Sequence, residues 1–192
     1  MKDSPVRQNI VETATKLFYQ NGYNLTGINE IIKEAGIAKA TLYHHFKSKE
    51  DICLAYLVYK NNTFTTDIRA FVEKAPAGDA QILALFDFLQ SFFQGKDFNG
   101  CWCLNTIAEL PKGSERIKEE IQKQKHQLIQ FITSLAKSFL STDDKTVYEA
   151  LARRIYLLYE SALAESHLHQ APWPIDDARE LCKILLNNQR KS

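Results

Sequence analysis

Apolar residues recur along almost the whole chain at intervals of three and four, the spacing of amphipathic helices, and no convincing run of alternating residues breaks that rhythm. Ser4-Pro5 is a helix start, and Ile10, Ala14, Leu17 and Phe18 form one stripe up to the Asn21-Gly22 stop. Thr26 is expected to cap a second, short helix carrying Ile28, Ile31 and Ile32, which stops at Ala35-Gly36. A third runs over 38–45. Ser48, with Asp51 three residues on, is the acidic form of a capping box and opens a long fourth helix to about residue 71.

Beyond the break Ala75-Pro76-Ala77-Gly78, Asp79 is expected to cap a fifth helix that ends at Gln94-Gly95. A sixth is expected over 102–110, stopped by Pro111, and a seventh capped by Ser114 with Ile117, Ile121, Leu128, Phe131 and Ile132 on one face. Thr142 or Asp143 should start an eighth, reaching about residue 168. The turn Pro172-Trp173-Pro174 then leads to a ninth over 177–188. The expected fold is all-α, with about nine helices.

Helices two and three, joined by the tight turn Glu34-Ala35-Gly36-Ile37, have the proportions of a helix-turn-helix, whose second helix enters the DNA major groove. Leu42 and Phe46 lie four apart and can face inward. Lys39, Ala40, Thr41 and His44 then face out, flanked by Tyr43 and His45. Charge changes this picture little. The whole chain carries +1, but the first sixty residues hold eight Lys/Arg against six Asp/Glu, so the local sign suits a phosphate partner.

The N-terminal residues resemble the TetR/AcrR family of one-component transcriptional regulators. The matching positions are Ala14, Leu17, Phe18, Gly22-Tyr23, Thr26 and Glu30-Ile31, then Ala35-Gly36-Ile37, Thr41-Leu42-Tyr43, His45-Phe46 and Lys49-Glu50. Two positions depart from the pattern: Ala40 stands where glycine is usual, and Ile32 where alanine is usual. The resemblance implies that Lys39 and Thr41 read bases, with Ala40 near a thymine methyl. It implies that Tyr43, His44 and His45 hold phosphates, that Lys49 adds charge, and that Thr26 caps its helix while reaching a phosphate. It also implies a helix-turn-helix domain over 1–47 and an effector-binding and dimerisation domain over 48–192, with 48–71 as the connecting helix.

The C-terminal helices must be read from their own residues. The apolar stripe of the eighth is wider than one buried side needs, which suggests packing on its own domain and on a second copy. Leu151, Ile155, Leu158 and Ala162, with Leu181 and Leu185 of the ninth, are the expected contacts of a two-fold dimer built from the last two helices. An effector cavity is expected from Phe86, Leu89, Phe93, Cys101, Trp102, Asn105, Gln124, Phe131, Tyr156, Tyr159 and Glu160. Taken singly, each aromatic here reads as core. The set reads as a pocket because of the resemblance. Gln124, in the middle of an apolar stripe, needs a polar partner that a ligand or water could supply.

The remaining chemistry is mostly excluded. No nucleophile–base pair, P-loop, dinucleotide fingerprint or HExxH pattern occurs, so neither an enzyme nor a cofactor or metal site is expected. The adjacent histidines His44 and His45 lack a third ligand nearby. Four cysteines at Cys53, Cys101, Cys103 and Cys182 give no paired framework, and Cys101 and Cys103 point apart on a helix. A single reactive thiol at either is the alternative sensor. No apolar run is long enough to span a bilayer and no secretory segment precedes the first helix, so a cytoplasmic protein is expected. Together with these observations, the resemblance implies a homodimeric regulator, a repressor of a palindromic double-stranded DNA operator, released by a small-molecule inducer that moves the fourth helix.

Overall fold

Most helices begin and end where the local chemistry dictates. In the computed structural model, which describes residues 4–189, nine α-helices and no strand occupy the described residues. They are α1 (Pro5–Asn21), α2 (Ile28–Glu34), α3 (Lys39–His45), α4 (Lys49–Val72), α5 (Asp79–Phe93), α6 (Trp102–Glu109), α7 (Glu115–Leu140), α8 (Lys145–His169) and α9 (Trp173–Gln189). Ser4 caps α1 by accepting the Arg7 N–H at 3.1 Å, and Gly22, with φ +89°, closes it. Ser48 caps α4 as expected, its hydroxyl accepting the Asp51 N–H at 3.1 Å.

Four starts differ from expectation. Gly27, not Thr26, holds the cap position of α2, and Glu30 reaches back to accept the Gly27 N–H at 3.3 Å. At α5 the cap position is Gly78, whose φ of +107° suits only glycine, so Asp79 becomes a first-turn acid facing the helix dipole. Asp144 caps α8 by accepting the Thr146 N–H at 2.9 Å. Finally, α9 begins at Trp173 inside the expected turn. Proline is tolerated there because first-turn N–H groups have no helical partner, and the Pro172 carbonyl accepts from Ile175 at 2.9 Å.

The helices form two compact units, residues up to 63 with 101–124, and 64–100 with 125 onward. This division by contacts differs from the boundary expected at 47/48, because α6 and the first part of α7 pack with the N-terminal helices. In the first unit Ile10, Ala14 and Phe18 of α1, Ile31 of α2, Leu42 of α3 and Tyr56 of α4 are all buried. In the second, α8 packs on α9, and α5 packs on both. Its centre is Phe86 and Leu89 of α5 with Ile155 and Tyr159 of α8, and an Arg179–Asp87 ion pair of 2.7 Å ties α9 to α5.

Candidate nucleic-acid interface and effector region

The α2–α3 corner is a left-handed turn. Gly36 has φ +65°, its N–H donates to Lys33 O at 3.1 Å, and the Ile37 N–H donates to Ile32 O at 3.2 Å, so the last carbonyls of α2 are satisfied. Asn9 of α1, which no sequence motif marked, pins this corner by donating its Nδ2 to Ala35 O at 2.9 Å. Arg7 lies 4.9 Å from the Phe46 ring centroid and covers the end of α3.

On α3 the two faces separate cleanly. Leu42 is fully buried and Phe46 nearly so, while Lys39, Ala40, Tyr43 and His44 are exposed and Thr41 and His45 are half-buried. The His44 and His45 rings meet edge to face at 5.1 Å. Among the described residues no group of three or more His, Cys, Asp or Glu side chains could hold a metal ion.

Two of the outlying positions are engaged elsewhere. Thr26 is fully buried, and its hydroxyl donates to Gly22 O at 2.8 Å. It therefore braces the loop before α2 instead of presenting a hydroxyl to a phosphate, which corrects both roles expected of it. Lys49 lies over the Tyr23 ring at 4.5 Å and donates to Asn24 O at 3.5 Å. Burial lowers its pKa, with the Glu109 carboxylate among the charges that oppose the shift.

Arg116 of α7 donates to Asp51 at 3.0 Å and sits 3.5 Å from Glu50, joining α7 to the start of α4. Burial alone would raise the Asp51 pKa, but hydrogen bonds from Arg116 and Ser48 outweigh it and hold the carboxyl below its ordinary value. No local pattern pointed to Arg116.

The expected effector residues fall in both units. Cys101, Trp102, Asn105 and Gln124 belong to the first. There Gln124 is buried and accepts from Trp102 Nε1 at 3.3 Å and from the Cys103 thiol at 3.5 Å, while its Nε2 donates to Glu120 at 2.9 Å. The partner Gln124 was expected to need is thus supplied by the protein. Cys101 and Cys103 are both buried, as are Cys53 and Cys182, whose thiols burial pushes up to about 12.

Phe86, Leu89, Phe93, Phe131, Tyr156, Tyr159 and Glu160 belong to the second unit. Phe86 and Tyr159 lie 6.0 Å apart, Arg69 stands 4.3 Å from the Phe131 ring, and Glu160 pairs with Lys125 at 2.6 Å. Phe93 and Tyr156 are half-buried.

Of the expected dimer contacts, Leu151, Ile155 and Ala162 are buried within the chain itself, and only Leu181 is exposed, with Leu158 and Leu185 half-buried. The wide stripe read on α8 is largely internal, with Leu151, Ile155 and Tyr159 buried, whereas Leu157 and Leu168, which lie outside that stripe, are more than 60% exposed. Ile184 joins Leu181 on α9, each over half exposed.

Comparison with known proteins follows the same division. Residues 10–56 match the family of bacterial regulatory proteins, tetR family. The chain is 34% identical over 115 residues to the Bacillus subtilis HTH-type transcriptional regulator YuxN, covering 59% of this chain and 37% of that one. It is 27% identical over 123 residues to the HTH-type transcriptional repressor DhaR of Mycobacterium sp., covering 63% and 60%. The chain thus spans less than two thirds of the length of these curated relatives. The crystal structure of SCO4454, a TetR-family transcriptional regulator from Streptomyces coelicolor, superposes with a TM-score of 0.85 at 26% identity, covering 96% of this chain and 90% of that one. Reduced NemR of E. coli shares the fold, with a TM-score of 0.81 at 20% identity over 93% and 96% of the two chains. Among the described residues no helix is long and apolar enough to cross a membrane. A helix-turn-helix with its outward face intact, carried on this nine-helix fold, places the chain in the TetR family of transcriptional regulators.

Proposed function

We propose that this chain binds a palindromic operator as a homodimer, represses transcription there, and is released by a small molecule. The observation that carries the DNA reading is α3, whose buried Leu42 and Phe46 leave Lys39, Ala40, Tyr43 and His44 together on an open face. Lys39 and Thr41 read base edges, with Ala40 against a thymine methyl. Tyr43, His44 and His45 hold phosphates and set the register of the helix in the groove.

The dimer forms through the exposed face of α8 and α9, Leu157, Leu168, Leu181 and Ile184, with Leu158 and Leu185 at its inner edge. Large apolar side chains this open on two neighbouring helices are the kind of surface that association covers. Two-fold symmetry then matches a palindromic site.

The inducer binds among the aromatic side chains of the second unit, Phe86, Phe93, Tyr156 and Tyr159. Because α4 is one continuous helix from Lys49 to Val72, a displacement of its C-terminal half is carried to its DNA-proximal start. The inducer acts only in so far as it favours the released state over the bound one. Thiol sensing through Cys101 or Cys103 finds no support, since both are buried.

In vitro selection from random duplexes, followed by fluorescence anisotropy on the enriched site, tests the reading. The expected result is a two-fold symmetric consensus bound by two chains. Absence of any enriched sequence would refute it. A thermal-shift screen of aromatic and lipophilic compounds would then identify ligands, because binding to the folded state raises the melting temperature.

A further inference from the structure

Besides Lys49 at the start of α4, the loop between α1 and α2 is held from outside the helix-turn-helix by Glu109, the last residue of α6. Its Oε2 accepts the Asn24 backbone N–H at 2.7 Å, and its own carbonyl accepts from Asn24 Nδ2 at 2.9 Å. Each bond fills a need. The Asn24 N–H lies in a loop with no helical partner, and the Glu109 carbonyl is one of those a helix leaves open at its C-terminus.

The carboxylate also crowds the residue opposite. A Cβ on Gly22 would displace it, and the φ of +89° at Gly22 independently favours glycine. From Gly22 the restraint passes directly to α2, because the Gly22 carbonyl accepts the hydroxyl of buried Thr26, immediately before the Gly27 cap. Any shift of Glu109 therefore moves the start of α2, and with it the corner that aims α3.

We infer that Glu109 is a positioning residue for operator recognition, through which α6 sets the pose of the helix-turn-helix and can release it. This rests on the DNA-binding reading above and adds a second input besides α4. α6 is itself anchored at its other end, where Trp102 and Cys103 donate to Gln124, so it can act as a short rigid strut.

The test uses the full chain and the operator enriched by selection. Glu109→Ala removes the side-chain bond and Glu109→Gln keeps an acceptor of the same shape. Lys112→Ala, an exposed change just beyond α6, is the control. Specific and non-specific DNA affinity and their salt slopes are measured well below the melting temperature of each variant. The expected result is that Glu109→Ala weakens specific binding at least tenfold, with Glu109→Gln in between. Non-specific affinity and salt slope stay as in the wild type, because no phosphate contact has been removed. Hydrogen exchange should quicken at residues 23–27 in Glu109→Ala alone.

Unchanged specific affinity in a folded Glu109→Ala, or in folded Glu109→Gln and Asn24→Ala where that variant does not fold, overturns the inference. An equal loss of specific and non-specific binding also overturns it, since that marks general destabilisation. A wild-type chain that enriches no DNA overturns the regulator reading itself, a different result from either.

Discussion

Leu42 and Tyr43 are neighbours on α3, yet the structure requires their removal to have opposite consequences. Leu42 is fully buried in the first unit. Truncation to alanine loses the transfer free energy of the buried branch and leaves a cavity, a combination that costs about 2–5 kcal/mol. Since a native fold is held by only about 5–15 kcal/mol, this is a large share. In a chain of this size it corresponds to a fall of roughly 4–20 °C in melting temperature.

Tyr43 is 44% exposed, so Tyr43→Ala should fall in the surface range, within about 0.5 kcal/mol of wild type. Its cost appears only with DNA. Losing one phosphate hydrogen bond and the ring's contact with the backbone should weaken the operator complex about tenfold or more. Circular dichroism melts of the two variants, paired with anisotropy titrations at fixed salt, separate the outcomes. If Tyr43→Ala melts as early as Leu42→Ala, or binds the operator like the wild type, the division of α3 into a buried and a DNA-facing side is wrong.

Gln124→Ala removes the acceptor shared by Trp102 and Cys103 and should destabilise the free protein by about 1–3 kcal/mol in a urea titration, with no ligand present. A Gln124→Ala chain of unchanged stability would mean the network contributes nothing and would return Gln124 to the effector. Leu181→Glu combined with Ile184→Glu should convert a dimer to a folded monomer in sedimentation equilibrium. An unchanged mass would place the interface elsewhere. Iodoacetamide at pH 8 should label none of the four thiols in the native chain and all four in denaturant, because all are buried and Cys53 and Cys182 titrate near 12. Native-state labelling of Cys101 or Cys103 would restore the thiol sensor. Finally, because the folded Asp51 pKa is depressed, its contribution is present above the unfolded value and is lost as pH falls through the folded one. The stability gap between wild type and Arg116→Ala should therefore be full at pH 7 and close below about pH 4. A gap that persists unchanged at pH 2 would assign the effect to something other than this pair.

What was legible in the sequence was whatever a single helix decides by itself. Ser4, Gly22, Ser48 and Gly36 act on backbone groups a few residues away, so their chemistry is complete within the local string. The inward pair Leu42 and Phe46 follows from helical spacing alone. Thr26 misled because a threonine before a helix satisfies the cap pattern, whereas here its hydroxyl turns back to Gly22 and the glycine after it takes the cap position. Gln124 misled in the opposite direction. Its spacing showed that it would be buried, but the two donors to its Oε1 lie 21 and 22 residues earlier on another helix, and spacing carries no information about them. The same limit explains α8, whose spacing shows a broad apolar stripe, whereas only the packing of α5 and α9 shows that Leu151, Ile155 and Ala162 are used within the chain.

The residues that escaped the sequence reading share one property: Asn9, Asn24 and Arg116 each act across elements. Such residues are polar and moderately exposed, so in a linear string they are indistinguishable from solvated surface. Their positions still follow a rule. Each one meets a backbone group or a charge at the end of a helix in the N-terminal unit, where the helix leaves carbonyls, N–H groups or a dipole unmatched. A three-helix DNA-reading element of this length has few buried contacts with which to fix its own corners. Fixing them from α6 and α7 ties the corners of that element to segments outside the helix-turn-helix. A family that keeps its recognition helix and varies the rest would have to rebuild those ties each time. Their sequence signature is therefore expected to be a covarying pair, such as an acid at position 51 with a base at 116, and not a motif.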